Sequence, residues 1–292
     1  MKLSVVLATR NEEENIGRCL QSVKDIADEI IVFDEYSTDK TKKIAESFGV
    51  KVYLEPHHDI FHITKQKAID MAKGEWVLQM DADEVITKEL AKEITEVINM
   101  SNEEILNRKP KSEKLQQLFE RHQRLIEERD GKIDKDNDEV VAFFIPRRNM
   151  FLGKPLIHAG VYPDPAIRLI KKSKAYLPAK SVHEIMKIEG KIAWLYNDME
   201  HYDSPTLKRY LWRLNRYTDL IANELKEDRA HKNLFAFIDY VFLKPTYTFL
   251  SLFLRHKGFI DGANGFLWSF FSALRFPIAY FKYVTNNTKH VD

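Results

Sequence analysis

The 292-residue sequence holds one cysteine, ten glycines and ten prolines, and its charges nearly cancel. A lone Cys19 cannot close an intramolecular disulfide and suits a reducing compartment. Set in the helical pattern of IGRCLQSV, it is expected to fill core rather than react. Glycine is scarce where nucleotide motifs would need it. No G-x-G-x-x-G follows the first apolar run and no G-x-x-x-x-G-K-[ST] occurs anywhere, which removes the support for a dinucleotide oxidoreductase or a P-loop NTPase. ATRNEEENI also lacks the glycine-rich basic loop that a sugar nucleotidyltransferase would carry after its first strand. Lys+Arg of 45 against Asp+Glu of 44 leaves no global basic field, so no nucleic-acid partner is expected and any anion must be bound locally. The start MKLSVVLATRNEE turns acidic by residue 12 without a long apolar region, so no signal peptide is expected. At 44% hydrophobic and 30% charged, the chain reads as one large globular domain with additions, or as two domains.

What is present is an alternation of two periods over the first hundred residues. KLSVVLA, EIIVFD, KVYLE and EWVLQM are apolar runs of strand length, separated by EENIGRCLQSV, DKTKKIAESF and TKQKAIDMAK at helical spacing. Strand then helix, repeated, predicts right-handed crossovers and a mostly parallel, Rossmann-like sheet flanked by helices. Ligands collect at the carboxyl ends of such strands. Polar residues gather at those ends: Thr9, Arg10, Asn11 and Glu12 after the first strand, Asp34 and Glu35 after the second, Asp81 and Asp83 after the fourth.

Helix capping accounts for some of these. Asn11 with Glu14, Ser37 or Thr38 before DKTKKIAESF, and Thr87 before Lys88 are all N-cap signatures. Asp81 and Asp83 precede the Thr87 cap by several residues and are not explained by it. Two carboxylates at i and i+2 just past a strand can converge on one hard cation, whose charge offsets their repulsion.

SVVLATRNEEENIGRCLQSV, EIIVFDEYSTDKTKKIAESFG, AKGEWVLQMDADEVIT and the later VHE resemble the family-2 glycosyltransferases of GT-A fold, in particular bacterial enzymes similar to lipopolysaccharide-core glucosyltransferases. The resemblance is strong over residues 2 to 100 and looser over 140 to 285. It implies inverting transfer of a sugar, as a hexosyltransferase, from a nucleoside-diphosphate sugar with Mg²⁺ or Mn²⁺ as cofactor. By position, Thr9, Asn11 or Glu12, and Asp34 would hold the nucleoside, with Asp81 and Asp83 meeting ribose, metal and diphosphate. Asp83 and His201 are the implied metal ligands, and Glu184 in VHE matches the position of the base. Such a base takes the acceptor hydroxyl proton in a single displacement. Lys65 is a further donor-side candidate; relatives often read KQRN where this chain has KQKA at residues 65 to 68, a departure at Lys67 and Ala68 that leaves those two without an implied donor role. Arg168 either binds diphosphate or flanks a strand. His57, His58 and His62 contain an i, i+4 pair, but no Cys or acid completes a zinc set, which favours a polar loop.

Four segments follow from the pattern: a nucleotide-sugar-binding half at 1–100, a charged insertion at 101–139, an acceptor-side half at 140–203 and a helical region at 204–292. Twenty of the 39 insertion residues are charged, while Leu115, Leu118, Leu125 and Ile126 keep near-helical spacing, which predicts an exposed helix ending in the turn-rich DGKIDKDNDE. Ser204 and Pro205 read as N-cap and first turn of a later helix. From residue 231 onward sixteen aromatic residues accompany seven cations and three acids, and no run reaches the roughly 20 clean apolar residues of a bilayer span. Two readings stay open there: helices lying in a membrane interface, or a subdomain packed on the sheet or on a second subunit of a homo-oligomer. The expected place is the cytoplasm, with peripheral contact at the inner face of the cytoplasmic membrane. The expected acceptor is a hydroxyl of a lipid-linked saccharide or lipopolysaccharide core. The alternatives are a polyprenyl-phosphate or a protein acceptor, and, from another class, a non-catalytic nucleotide-binding membrane scaffold.

Overall fold

The structure, a computed structural model, describes residues 1–110, 112–131, 139–178, 186–228 and 230–285. Contacts divide the chain into two compact units, Met1–Arg148 with Pro163–Tyr202, and Asn149–Tyr162 with Asp203–Asp292.

The first unit opens with the expected alternation: β1 (Leu3–Thr9), α1 (Ile16–Val23), β2 (Glu29–Asp34), α2 (Thr41–Ser47), β3 (Lys51–Leu54), α3 (His62–Met71) and β4 (Trp76–Met80). Then come β5 (Glu84–Ile86), α4 (Lys88–Val97), α5 (Asn102–Leu106), α6 (Glu113–Asp130) and β6 (Val140–Ile145). After β7 (Arg147–Phe151) and β8 (Lys154–Pro155), the chain adds β9 (Ala166–Lys171), β10 (Ala175–Tyr176), β11 (Lys187–Ile188), β12 (Lys191–Trp194) and β13 (Met199–Ser204).

Seven strands form one sheet in the order β12-β6-β9-β4-β1-β2-β3. β1 runs parallel to β2 and β4, and β2 parallel to β3. β9 enters antiparallel between β4 and β6, the one reversal in a mostly parallel sheet. This is the mostly parallel, Rossmann-like sheet with flanking helices that the alternation predicts. Alternation along β1 fixes which side chain goes to which face. Leu3, Val5 and Leu7 pack with Ile16, Leu20, Leu90 and Ile94, whereas Val6 packs with Ala68, Ile69 and Val77. Every residue of β4 and β6 is buried, as a sheet covered on both faces requires. Gly74 admits no side chain: a Cβ there would stand 2.6 Å from the Ser4 amide nitrogen.

Three local expectations need correction. α1 begins at Ile16 and α2 at Thr41, and neither has a side-chain cap; Asn11 and Ser37 bond elsewhere, as described below. Thr87 does cap α4, accepting from the Leu90 amide at 3.2 Å. The insertion helix is α6, but it is not simply exposed. Phe119, only 3% exposed, stacks on Trp194 with centroids 4.3 Å apart and planes 11° off parallel. The Trp194 Nε1–H donates to Gln123 Oε1 at 3.1 Å. Leu115, Leu118, Phe119 and Ile126 share a helical face, so one stripe of an otherwise charged helix covers the sheet. Most of the expected turn at DGKIDKDNDE, residues 132–138, lies outside the described residues.

The second unit is built on α7 (Leu207–Glu227), α8 (Leu234–Ile238), α9 (Lys244–Leu250) and α10 (Gly262–Thr285). α7 starts two residues later than Ser204–Pro205 suggested. Thr206 is its cap, accepting from the Arg209 amide at 3.2 Å, and Ser204 ends β13. Ala222 and Leu225 pack against Tyr280 and Tyr283, and Phe151 and Tyr210 against Trp268. Gly265 is required where α10 passes Gly258, since a Cβ would lie 1.8 Å from that carbonyl oxygen. No helix among the described residues is long and apolar enough to cross a membrane.

Candidate active site

Three strands deliver polar residues to one edge of the large sheet. Thr9 and Asp34 are register partners at the ends of β1 and β2, and Leu7 pairs with Met80, so Asp81 follows directly beside them. A sharp connection then returns the chain into β5: Asp81 N–H donates to Glu84 Oε2 at 2.9 Å.

Asp34 is buried, and Ser37 holds both of its oxygens, through its amide at 2.8 Å and its hydroxyl at 2.5 Å. Asn11 adopts φ 53°, a left-handed conformation that asparagine tolerates. Its side-chain oxygen accepts from the Thr38 amide at 2.8 Å, and its own amide donates to Ser37 Oγ at 2.8 Å. These cap-like residues therefore lock the β1 and β2 loops together across 26 or 27 positions of sequence. Glu12 joins the same lock, its amide donating to Thr41 Oγ1 at 2.7 Å and its carboxylate accepting from Asn15 at 2.7 Å. Thr9 Oγ1 is buried with no hydrogen-bond partner among the described residues.

At the end of β4 charge is concentrated. Lys65 Nζ lies 2.5 Å from Asp81 Oδ1, and Arg168 Nη2 lies 2.6 Å from both Asp81 Oδ2 and Glu84 Oε1. Arg168 also donates to Gln79 Oε1 at 2.5 Å, and Arg147 reaches Glu84 at 3.4 Å. Glu84 is fully buried, its Oε1 facing both Arg147 and Arg168 and its Oε2 accepting from the Asp81 amide, so it has no oxygen to spare for an incoming ion. Burial works to raise the Asp81 pKa, but the Arg168 charge and then Lys65 outweigh it and hold the carboxyl well below the usual range. Burial likewise tends to lower the Arg168 pKa, while Asp81 and Glu84 raise it further, so the guanidinium stays charged. Cys19 sits behind this edge as core; burial, then Glu84, push its thiol well up and make it a poor nucleophile.

Asp83 meets a different partner. β13 pairs with β5 so that His201 lies opposite Glu84, and His201 Nε2 stands 3.6 Å from Asp83 Oδ2. Adjacent ligands of an octahedral ion bound at about 2.1 Å are about 3.0 Å apart and opposite ones about 4.2 Å, so this spacing fits a divalent cation. Asp203 follows His201 by two residues in the same strand, so both side chains leave it on one side. His57 and His58 are held by Glu35 at 2.7 Å and Glu55 at 2.8 Å, and His62 packs edge-on to Phe61; no zinc set forms from them.

Lys65, Gln79, Asp81, Arg147 and Arg168 line a cleft of about 300 Å³, to which Ile126 and Arg129 of α6 also contribute. That volume is at the lower end for a small-molecule site. Leu177 and Met186 line it too. They bracket residues 179–185, so Glu184 lies outside the described residues. Sequence reasoning missed the roles of Glu84, Gln79 and α6. The third acid of DADE was visible, but its partners Arg147 and Arg168 come from 63 and 84 residues away.

The model of the family described as Glycosyl transferase family 2 matches residues 4–157. An uncharacterized glycosyltransferase of Rickettsia bellii is 44% identical over 103 residues, covering 35% of this chain and 35% of that protein. The aligned part thus spans about a third of that relative's length. The lipopolysaccharide core biosynthesis glycosyltransferase LpsC of Rhizobium meliloti is 24% identical over 289 residues, covering 94% of this chain and 92% of that one. Among solved structures, S. aureus TarS 1–349 is similar over 98% of this chain and 89% of its own, at 19% identity and a TM-score of 0.41.

Proposed function

The chain belongs to glycosyl transferase family 2, and on that premise we propose that it moves a sugar from a nucleoside-diphosphate sugar to a hydroxyl of a lipid-linked saccharide or lipopolysaccharide core, with inversion. The observation that carries this is the division of labour at the β4 edge, where Asp81 is ion-paired and Asp83 stands beside His201. Two carboxylates with identical roles would repel both each other and a diphosphate. Here Lys65 and Arg168 neutralise Asp81, which leaves it as a fixed acceptor for sugar or ribose hydroxyls. Thr9 offers a buried hydroxyl beside it, and a buried polar group left unmatched is costly. Asn11, Glu12 and Asp34 hold the loops that shape the nucleoside end of this edge.

Asp83 and His201 would hold the divalent cation, Mg²⁺ or Mn²⁺, which when bound offsets the charge of the departing diphosphate. Arg147 and Arg168 add positive charge on the cleft side. Glu184 is the base that receives the acceptor hydroxyl proton. Its support is the match of VHE to the position where the similar enzymes keep an acid as base. The acceptor class rests on the similarity to LpsC over most of both chains.

A panel of nucleoside-diphosphate sugars, each with Mn²⁺ or Mg²⁺, tests the donor. One or a few should raise the melting temperature and be hydrolysed slowly in the absence of acceptor. A flat response to every donor would overturn the reading.

A further inference from the structure

The second unit leaves an apolar face exposed along its α8–α9 stretch. Leu234, Ile238, Phe242, Leu250 and Leu254 are 74%, 39%, 56%, 46% and 55% exposed. With the exposed Thr246 they occupy every fourth position from 234 to 254. In a regular α-helix of 3.6 residues per turn a strict four-residue repeat drifts about 40° at each step, so this stripe would spiral away. Two π-helical turns, Asp239–Leu243 and Ser251–Arg255, interrupt the helix at intervals. Their i→i+5 bonding makes wider turns, which take up the drift and keep the stripe in line. Phe235, Leu243 and Tyr247 widen it. The opposite side is committed to packing: Tyr240 stacks on Tyr280, and Phe249 and Phe253 meet Phe266 edge-on.

Charge along this stretch is net positive. Between residues 231 and 285 there are six Lys or Arg and two Asp. Both acids are taken, Asp239 by Lys244 at 2.9 Å and Asp261 by His158 at 2.7 Å. No acid among the described residues pairs with Arg255, Lys257 or Arg275. Lys257 also holds φ 57°, a conformation glycine or asparagine would adopt with less strain, at the end of the stripe.

We infer that this face lies on an anionic lipid surface, its stripe entering the headgroup boundary and Arg255 and Lys257 meeting lipid phosphates. Aromatic and aliphatic residues beside unpaired cations are the pattern of a helix resting in an interface plane. A second copy of the chain fits less well, because it would bring the same cations and no acid to answer them. The inference is independent of the donor site and stands or falls separately from it.

Co-sedimentation of the full chain with vesicles of phosphatidylglycerol or of phosphatidylcholine, at low and high salt, is the test. Binding is expected to phosphatidylglycerol vesicles and to weaken as salt rises. The pairs Phe242→Glu with Leu250→Glu, and Arg255→Glu with Lys257→Glu, should each reduce partitioning by about tenfold or more while melting like the parent protein. Equal binding to both vesicle types, or no binding at low salt, would overturn the inference. So would a concentration-dependent dimer in sedimentation velocity that the Phe242 and Leu250 pair abolishes.

Discussion

Arg168→Ala is expected to lower the unfolding free energy by about 3–5 kcal/mol, the range for breaking a buried ion pair by removing one partner. Most of that cost falls on Glu84, which is fully buried and would keep only the Asp81 amide at 2.9 Å and, as its sole cation, Arg147 at 3.4 Å. Asp81, with 31% of its side chain exposed, contributes less because water and Lys65 still reach it. Arg168→Lys should recover only part of the loss, since a single ammonium cannot reach Gln79, Asp81 and Glu84 at once. Denaturant unfolding of the parent protein and both variants measures this; a loss below about 1 kcal/mol for Arg168→Ala would show that the cluster is not structural. The pH dependence follows from the same contacts. The folded pKa of Asp81 lies below its unfolded value, so its contribution is complete above about pH 4 and is lost as pH falls through the folded pKa.

Glu184→Gln is expected to reduce turnover about 10²-fold or more while leaving donor affinity nearly unchanged. An amide keeps the size of the side chain but cannot take a proton, so binding and proton transfer separate cleanly. Steady-state transfer assays, paired with calorimetric titration of the donor product, give both quantities. Near-normal turnover would move the base elsewhere or indicate an acceptor that is already anionic, such as a phosphate. Weakened donor binding with proportionate loss of turnover would place Glu184 in the donor site instead.

The alternation of strand and helix through residue 80 was legible because period 2 and period 3.6 are local properties, and the sheet buries what they predict. Asp81 and Asp83 were legible as a pair, since two carboxylates just past a buried strand repel each other unless something joins them. Their different fates were not. Asp81 and Glu84 meet Arg168 only because β9 enters antiparallel beside β4, which sets Arg168 at its near end against the far end of β4. No spacing in the sequence announces that reversal. Asn11 and Ser37 illustrate a second limit. A short polar side chain ahead of a helical pattern looks the same whether it caps its own helix or reaches a neighbouring loop, and here both reach across. Phe119 was hidden by its surroundings, one buried ring in a helix whose other residues are mostly charged.

The most direct test is calorimetric titration of a nucleoside diphosphate into the parent protein and into Asp83→Asn, each with Mn²⁺ and with EDTA. The nucleotide should be the one whose sugar gives thermal protection. Binding is expected to require Mn²⁺ and to weaken about tenfold or more in Asp83→Asn, because the cation links Asp83 to a diphosphate it would otherwise repel. Equal affinity in Mn²⁺ and EDTA, or an unchanged affinity in Asp83→Asn, would contradict the account.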